Sequence, residues 1–149
     1  MSLSVDKALR KAQIHIKAGE LTEAEELYEQ VLSKFPKNKK AIQGYQKLKT
    51  PPQTELDNII TLYNKGNLEK TASLAENLAK QYPNAPVLYD ILGAAYIGLK
   101  NVDKTIESYQ KALRLNPNHT DAYNNMGMAL YDQGKFDKAV KNYQKAINL

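Results

Sequence analysis

Apolar residues recur at three- and four-residue spacing through most of the chain, which indicates amphipathic helices and gives no strand signal. The first helix shows this pattern at Val5, Ala8, Leu9, Ala12 and Ile16. Gly19 is placed to end that helix in the left-handed conformation. Thr22 and Glu25 have the spacing of a capping box at the start of a second helix. Continued along the chain, the pattern predicts an all-α protein of about nine helices.

Most of the predicted helices form antiparallel pairs that are joined by short turns and, in three of the four, closed by proline. The pairs span residues 4–36, 52–83, 86–117 and 120–149, and a further helix lies at 37–50. The distance from Pro36 to Pro83 is 47 residues, whereas Pro83 and Pro117 are 34 apart. The sequence therefore predicts four helix pairs with one inserted helix between the first and the second pair.

The last two pairs are copies of one unit. Shifted by 34 residues, Tyr89 aligns with Tyr123, Gly93 with Gly127, Tyr109 with Tyr143 and Ala112 with Ala146. A fixed period of this length indicates stacked repeats, in which each pair needs a neighbour to cover its apolar face. Most of the tyrosines fall at these repeat positions, so we interpret them as packing residues.

These residues resemble the tetratricopeptide repeat, a helix–turn–helix unit of about 34 residues. The third unit matches the family pattern at Tyr89, Leu92, Gly93, Tyr96, Tyr109, Ala112 and Pro117. The fourth unit matches at Tyr123, Met126, Gly127, Ala139, Tyr143 and Ala146. The second unit departs from it, since Ile59 replaces the glycine and Thr71 the alanine. The resemblance implies a single right-handed α–α superhelix over residues 1–149, with a concave groove lined by the first helix of each pair.

The formal charge of +5 is unevenly distributed, because one stretch carries lysines and no acidic residue. Its lysines are Lys34, Lys37, Lys39, Lys40, Lys47 and Lys49. This cluster is either a patch for an acidic or phosphate-bearing partner or a solvated face. Arg10 and Arg114 are the only arginines and few aromatics are interleaved, so we favour the solvated face and do not expect nucleic-acid binding.

Composition limits where the protein acts. The chain has no cysteine, which fits a reducing compartment. It has no apolar run of about 18 residues, and its N-terminus lacks the apolar segment of a signal peptide. We therefore predict a cytoplasmic protein without a membrane span.

No motif for catalysis, metal binding or cofactor binding is found. The two histidines, His15 and His119, have no ligand cluster at metal spacing, and phosphate-loop and Gly-x-Ser-x-Gly motifs are missing. We interpret His15 as a core or boundary residue and His119 as a loop residue. The sequence predicts no enzyme, no cofactor and no metal.

Candidate binding residues follow from the groove positions of the family, carried over by repeat position. They are Leu56, Ile60, Tyr63, Asn64, Asp90, Ala94, Ile97, Asn124, Asn125, Met128 and Tyr131. The surface is apolar with amide and carboxylate groups, and the alternative is that its apolar members only pack between repeats. Leu56, Asp90 and Ile97 stand where a carboxylate-binding clamp would need cations. A backbone-gripping asparagine ladder would have Asn125 as its one rung.

Two functions are compatible with these features. The first is a protein-interaction scaffold that binds a peptide or protein segment in the groove, without catalysis. The alternative is an accessory, substrate-recruiting region of a larger glycosyl- or sulfotransferase. Repeats with this sequence pattern resemble the N-terminal arrays of such bacterial enzymes. Leu149 falls before the proline position of the fourth unit, which predicts a truncated repeat. Its uncovered apolar face predicts a continuation of the chain or self-association.

Overall fold

The computed structural model describes residues 4–149, and within that range it contains nine α-helices and no strand. The helices are α1 (Val5–Ala18), α2 (Leu21–Lys34), α3 (Lys39–Lys49), α4 (Gln53–Asn64), α5 (Leu68–Gln81), α6 (Pro86–Gly98), α7 (Val102–Leu115), α8 (Thr120–Asp132) and α9 (Phe136–Ile147). The all-α class predicted from periodicity is confirmed.

The helices form two compact units, the first ending at Thr50 and the second spanning Pro51–Leu149. In unit 1, α1 packs on α2 and α2 on α3. In unit 2, each helix from α4 to α9 packs on the next one along the chain. Each unit buries its own apolar cluster. A single solenoid over the whole chain stays a prediction.

The ends of the first two helices show one correct and one wrong prediction. Gly19 ends α1 with φ of 79°, as predicted, and its left-handed backbone is one that glycine adopts without strain. The capping box of Thr22 and Glu25 is wrong. Helix α2 already begins at Leu21, with Glu20 as its N-cap and no side-chain cap. Thr22 therefore lies inside the first turn, where its hydroxyl is not placed to cap.

Helix α3 begins where the first helix of a repeat begins. It starts three residues after Pro36, and α6 and α8 start at the same distance after Pro83 and Pro117. The next helix, α4, starts a new pair, so α3 has no second helix of its own. Sequence spacing alone made α3 look like an insertion, whereas its register is that of a first helix.

Close approach of paired helices in unit 2 depends on two glycines. A Cβ atom on Gly93 would meet the ring of buried Tyr109, and one on Gly127 would meet the ring of Tyr143. The tyrosine rings therefore occupy the space that the missing side chains leave. This contact aligns the first and second helices in both repeats and fixes which face of α6 and α8 is turned away from the pair.

Candidate binding groove

A small cavity of about 220 Å³ lies between α4 and α6 in unit 2. It is lined by Ile60, Tyr63, Asp90, Ile91 and Ala94. Four of these are predicted groove residues, brought together because two neighbouring first helices present their outward faces side by side. The cavity is apolar except for the Asp90 carboxylate and the Tyr63 hydroxyl.

A second cavity, of about 360 Å³, is formed by α6, the turn that follows it, α7 and α8. It contains two further predicted groove residues, Ile97 and Met128, and its floor includes the buried Thr105. Lys100 and Asp132 lie at this cavity, so it carries both signs of charge. We call the following six residues the unit 2 groove: Ile60, Tyr63, Asp90, Ala94, Ile97 and Met128.

The large apolar residues of the unit 2 groove are exposed. Ile60, Tyr63 and Ile97 keep about 40 % of their surface accessible, and Met128 keeps 51 %. Among the other predicted residues, Asn64 and Asn124 are exposed outside both cavities. Tyr131 is also exposed, and its ring meets that of Phe136 edge-on with centroids 5.1 Å apart.

Two predicted groove residues belong to the packing instead. Leu56 is only 9 % exposed and is part of the core cluster of α4 to α6, so it is not available to a partner. Asn125 is half-buried, and its Nδ2 donates to the Tyr109 hydroxyl at 3.1 Å. The repeat position of each residue is correct, but contacts with the neighbouring helix turn its side chain inward.

A hydrogen bond at the groove was missed from the sequence. His119 is the N-cap of α8, and its Nε2 lies 2.8 Å from Oδ2 of Asp90 in α6. The loop prediction for His119 placed it correctly just outside a helix but gave it no partner. The two residues are 29 positions apart, and no spacing rule within one helix links them. His15, predicted to be a core or boundary residue, is half-buried and pairs with Glu20.

The Asp90 carboxyl is in an unusual environment. Burial raises its pKa, the hydrogen bond from His119 opposes that rise, and the nearby charge of Asp121 adds to it. Its other oxygen, Oδ1, is buried and has no hydrogen-bond partner among the described residues. Behind it, burial raises the pKa of Tyr109 to about 12, with Asp90 and Tyr63 contributing in the same direction.

Two other clefts differ in character from the groove. One, of about 640 Å³, lies along α5, α6 and α7, where Lys104 contacts both Glu76 and the Tyr96 hydroxyl. The other, of about 520 Å³, lies in unit 1 and is lined in part by Lys40 and Lys47 of the lysine cluster. Lys34, Lys37 and Lys39 of the same cluster are exposed, as a solvated face requires, whereas Lys49 is half-buried and pairs with Glu25.

The described part of the chain contains neither a metal-binding cluster nor a helix that could span a membrane. Among residues 4–149, no three His, Asp or Glu side chains are grouped so that they could hold a metal ion. In the same range, none of the helices has the length and apolar character needed to cross a membrane.

Similar folds are found among solved structures. A structure of MamA from AMB-1 is 23 % identical, with a TM-score of 0.59 over 98 % of this chain and 73 % of that one. MamA, residue 41 to its end, from Desulfovibrio magneticus RS-1 is 18 % identical, with a TM-score of 0.61 over 99 % and 76 %. At these identities the likeness concerns the fold alone. A search of curated proteins found no match.

Family models identify tetratricopeptide repeats in the sequence. A tetratricopeptide-repeat model matches residues 8–38, a TPR-repeat model matches 93–134, and a further tetratricopeptide-repeat model matches 120–149. Together these matches cover more than half of the chain and include the two repeats with the clearest period. The chain belongs to the tetratricopeptide-repeat family.

Proposed function

We propose that this protein is an interaction scaffold that holds a segment of a partner protein in the unit 2 groove. Its family binds protein partners, and the finer assignment rests on one observation. Large apolar side chains of α4, α6 and α8 remain exposed at two cavities, one between α4 and α6 and one between α6, α7 and α8, although the repeat packing does not need them. Exposed apolar surface that is gathered in this way marks an interaction site.

The size of the cavities supports a segment of chain rather than a small molecule. The two volumes, about 220 and 360 Å³, fall below or at the lower end of ligand pockets, which measure roughly 300–1,000 Å³. Each suits one or two side chains of a peptide. A segment that is anchored by alternate side chains, or by one face of a helix, would fill both.

The test uses dodecapeptides selected from a random phage-displayed library against the full chain. Tyr63→Ala and Met128→Ala should each weaken binding of the best peptide by about tenfold, the loss typical of an interface residue worth over 1 kcal/mol. Helix content and melting should hardly change, because both side chains are exposed. Ile14→Ala, which removes a 65 % exposed side chain from α1, is the matched control. Equal losses in binding and stability, or the same loss in the control, would contradict the proposal.

A second proposal, self-association through α9, is favoured by a comparison between repeats. Phe136, Val140 and Ile147 are 57, 52 and 80 % exposed. One period earlier, Leu113 occupies the place of Ile147 and is 9 % exposed, because it packs with residues of α8. The same face of α9 is therefore uncovered and suits a second copy. Sedimentation equilibrium should show a concentration-dependent dimer that Val140→Glu abolishes, and a monomer at all concentrations would contradict it.

The alternative role, as a substrate-recruiting region of a glycosyl- or sulfotransferase, stays a prediction. The parent gene tests it. A reading frame without a catalytic domain beside these repeats would contradict it.

A further inference from the structure

We infer that the partner segment in the unit 2 groove is basic, and that Asp90 receives a lysine or arginine side chain from it. The inference rests on the proposed function and adds the chemistry of the partner. It follows from the distribution of charge between the two kinds of helix and from the environment of one carboxylate.

Among the helices of unit 2, lysine and arginine are confined to the second helices, which carry acidic residues as well, so that α5 is neutral and α7 and α9 are net basic. The first helices α4, α6 and α8 contain acidic residues and neither lysine nor arginine. Their acidic residues are Glu55, Asp57, Asp90, Asp121 and Asp132. Each of the second helices α5, α7 and α9 contains at least two lysine or arginine residues. The first helices of unit 2 are thus acidic, although the whole chain carries +5, and the α4–α6 cavity is lined by a carboxylate and by no lysine or arginine. A cleft lined by one sign of charge concentrates ligands of the opposite sign.

Among these acidic residues, Asp90 has acceptor capacity that the protein does not use. Oδ2 accepts from His119, whereas Oδ1 is buried without a donor among residues 4–149. The side chain is still 26 % exposed and lines the α4–α6 cavity. An ammonium or guanidinium group in the cavity would bind the partly exposed carboxylate through a charge-assisted hydrogen bond, and its positive charge would offset part of the cost of burying the unpartnered oxygen.

The apolar walls of the same cavity suit the stem of a basic side chain. Ile60, Ala94 and the ring of Tyr63 lie beside Asp90. Lysine and arginine bury their methylene groups along such surface and keep the charged end at a polar group. The Tyr63 ring adds attraction for a cation on its face. The lining of the second cavity includes Lys100 as well as Asp132, so the cation is assigned to the first cavity and an apolar side chain to the second.

The experiment measures binding of the selected dodecapeptides by calorimetry with the full chain. Lysine and arginine should be enriched among selected sequences, and Asp90→Asn should weaken the best binder by about tenfold, as expected for a partly exposed charge-assisted bond. A matched peptide with citrulline or norleucine in place of the basic residue should bind the wild type and Asp90→Asn equally. Glu107→Gln, which removes a carboxylate from a second helix, is the control and should have no effect.

The outcomes separate the inference from the proposed function. Peptides that depend on Tyr63 and Met128 but show no basic enrichment would overturn the inference, and so would peptides whose binding is unchanged by Asp90→Asn. Either result would leave the proposed binding function of the groove in place. Peptides that ignore all three substitutions, or no binder at all, would overturn both. If the wild type forms a dimer that the Asp90→Asn substitution dissociates, the occupant of the groove is a second copy of the chain. That result would overturn the proposal of a separate partner segment. Thermal melting of each variant confirms that it is folded.

Discussion

Gly93 and Tyr109 are in contact at the centre of the third repeat. A Cβ atom on Gly93 would lie 2.6 Å from Cζ of Tyr109, whose side chain is 2 % exposed. A ring enclosed in this way has no free space into which it could shift. The absence of one methyl group on α6 therefore sets how closely α7 can approach.

Gly93→Ala should lower the free energy of unfolding. Overpacking costs about 1–3 kcal/mol, which exceeds the gain of up to about 1 kcal/mol that alanine brings to a helix. Urea unfolding followed by circular dichroism measures the difference. Gly98→Ala is the control, because its Cβ would meet mainly the end of the flexible Leu68 side chain. A Gly93→Ala variant as stable as Gly98→Ala would show that the ring can move.

Lys100→Gly should stabilise unit 2. Lys100 has φ of 56°, and the residues one period before and after it, Gly66 and Gly134, have φ of 75° and 71°. The third repeat thus places a side chain in a left-handed turn conformation that costs a non-glycine residue roughly 1–2 kcal/mol. Relieving this cost stabilises the fold, but the greater freedom of glycine in the unfolded chain offsets part of the effect. We therefore expect the free energy of unfolding to rise by about 0.5–1 kcal/mol, measured by urea unfolding. Gly66→Ala should lose stability, and a loss in Lys100→Gly would contradict the explanation.

Asn125→Ala should destabilise the fold rather than only weaken binding. Its Nδ2 donates to the buried Tyr109 hydroxyl, and removing a partner from a buried polar group costs roughly 1–3 kcal/mol. Asn124→Ala, at the exposed neighbouring position, should leave melting unchanged. Thermal melts of the two variants give the comparison directly. Equal melting temperatures would contradict a packing role for Asn125 and support its prediction as a groove residue.

Tyr109→Phe should flatten the loss of stability at alkaline pH. Burial raises the pKa of Tyr109 from 10.0 to about 12, so the unfolded chain releases this proton between those values while the folded chain retains it. The stability that Tyr109 contributes is complete below pH 10 and is lost as the pH rises towards 12. Urea unfolding at neutral pH and above pH 10 should show the wild type losing more free energy than the variant. Parallel pH profiles would contradict the raised pKa.

Local signals predicted the helices well, and contacts between repeats account for what was missed. The alternation of apolar residues and Gly19 sufficed for α1, because both act within one helix. The 34-residue period correctly aligned Gly93 with Gly127 and Tyr109 with Tyr143, which make equivalent contacts in the two repeats. The register of α3 is recognised only when its first residue is compared with the first residues of α6 and α8, because all three helices begin three residues after a proline.

The groove was predicted only in part. The exposure of Ile60 and Met128 follows from repeat position alone. The burial of Leu56 and the inward turn of Asn125 depend on the neighbouring helix, which no periodicity describes. The contact of Asp90 with His119 joins α6 to the start of α8 across an intervening helix, so it emerges only once the repeats are stacked.

The absence of lysine and arginine from the first helices of unit 2 also has a kinetic consequence. Far from the surface, a basic segment meets a molecule of charge +5 and is repelled, whereas inside the groove it meets carboxylates. Salt at physiological strength screens charges beyond about 8 Å, which removes the distant repulsion more than the contact attraction. Association of a basic partner should therefore not slow steeply as salt rises from low to physiological levels, unlike ordinary steering between opposite charges. The partner's capture rate is governed by the local field of the groove rather than by the net charge of the chain.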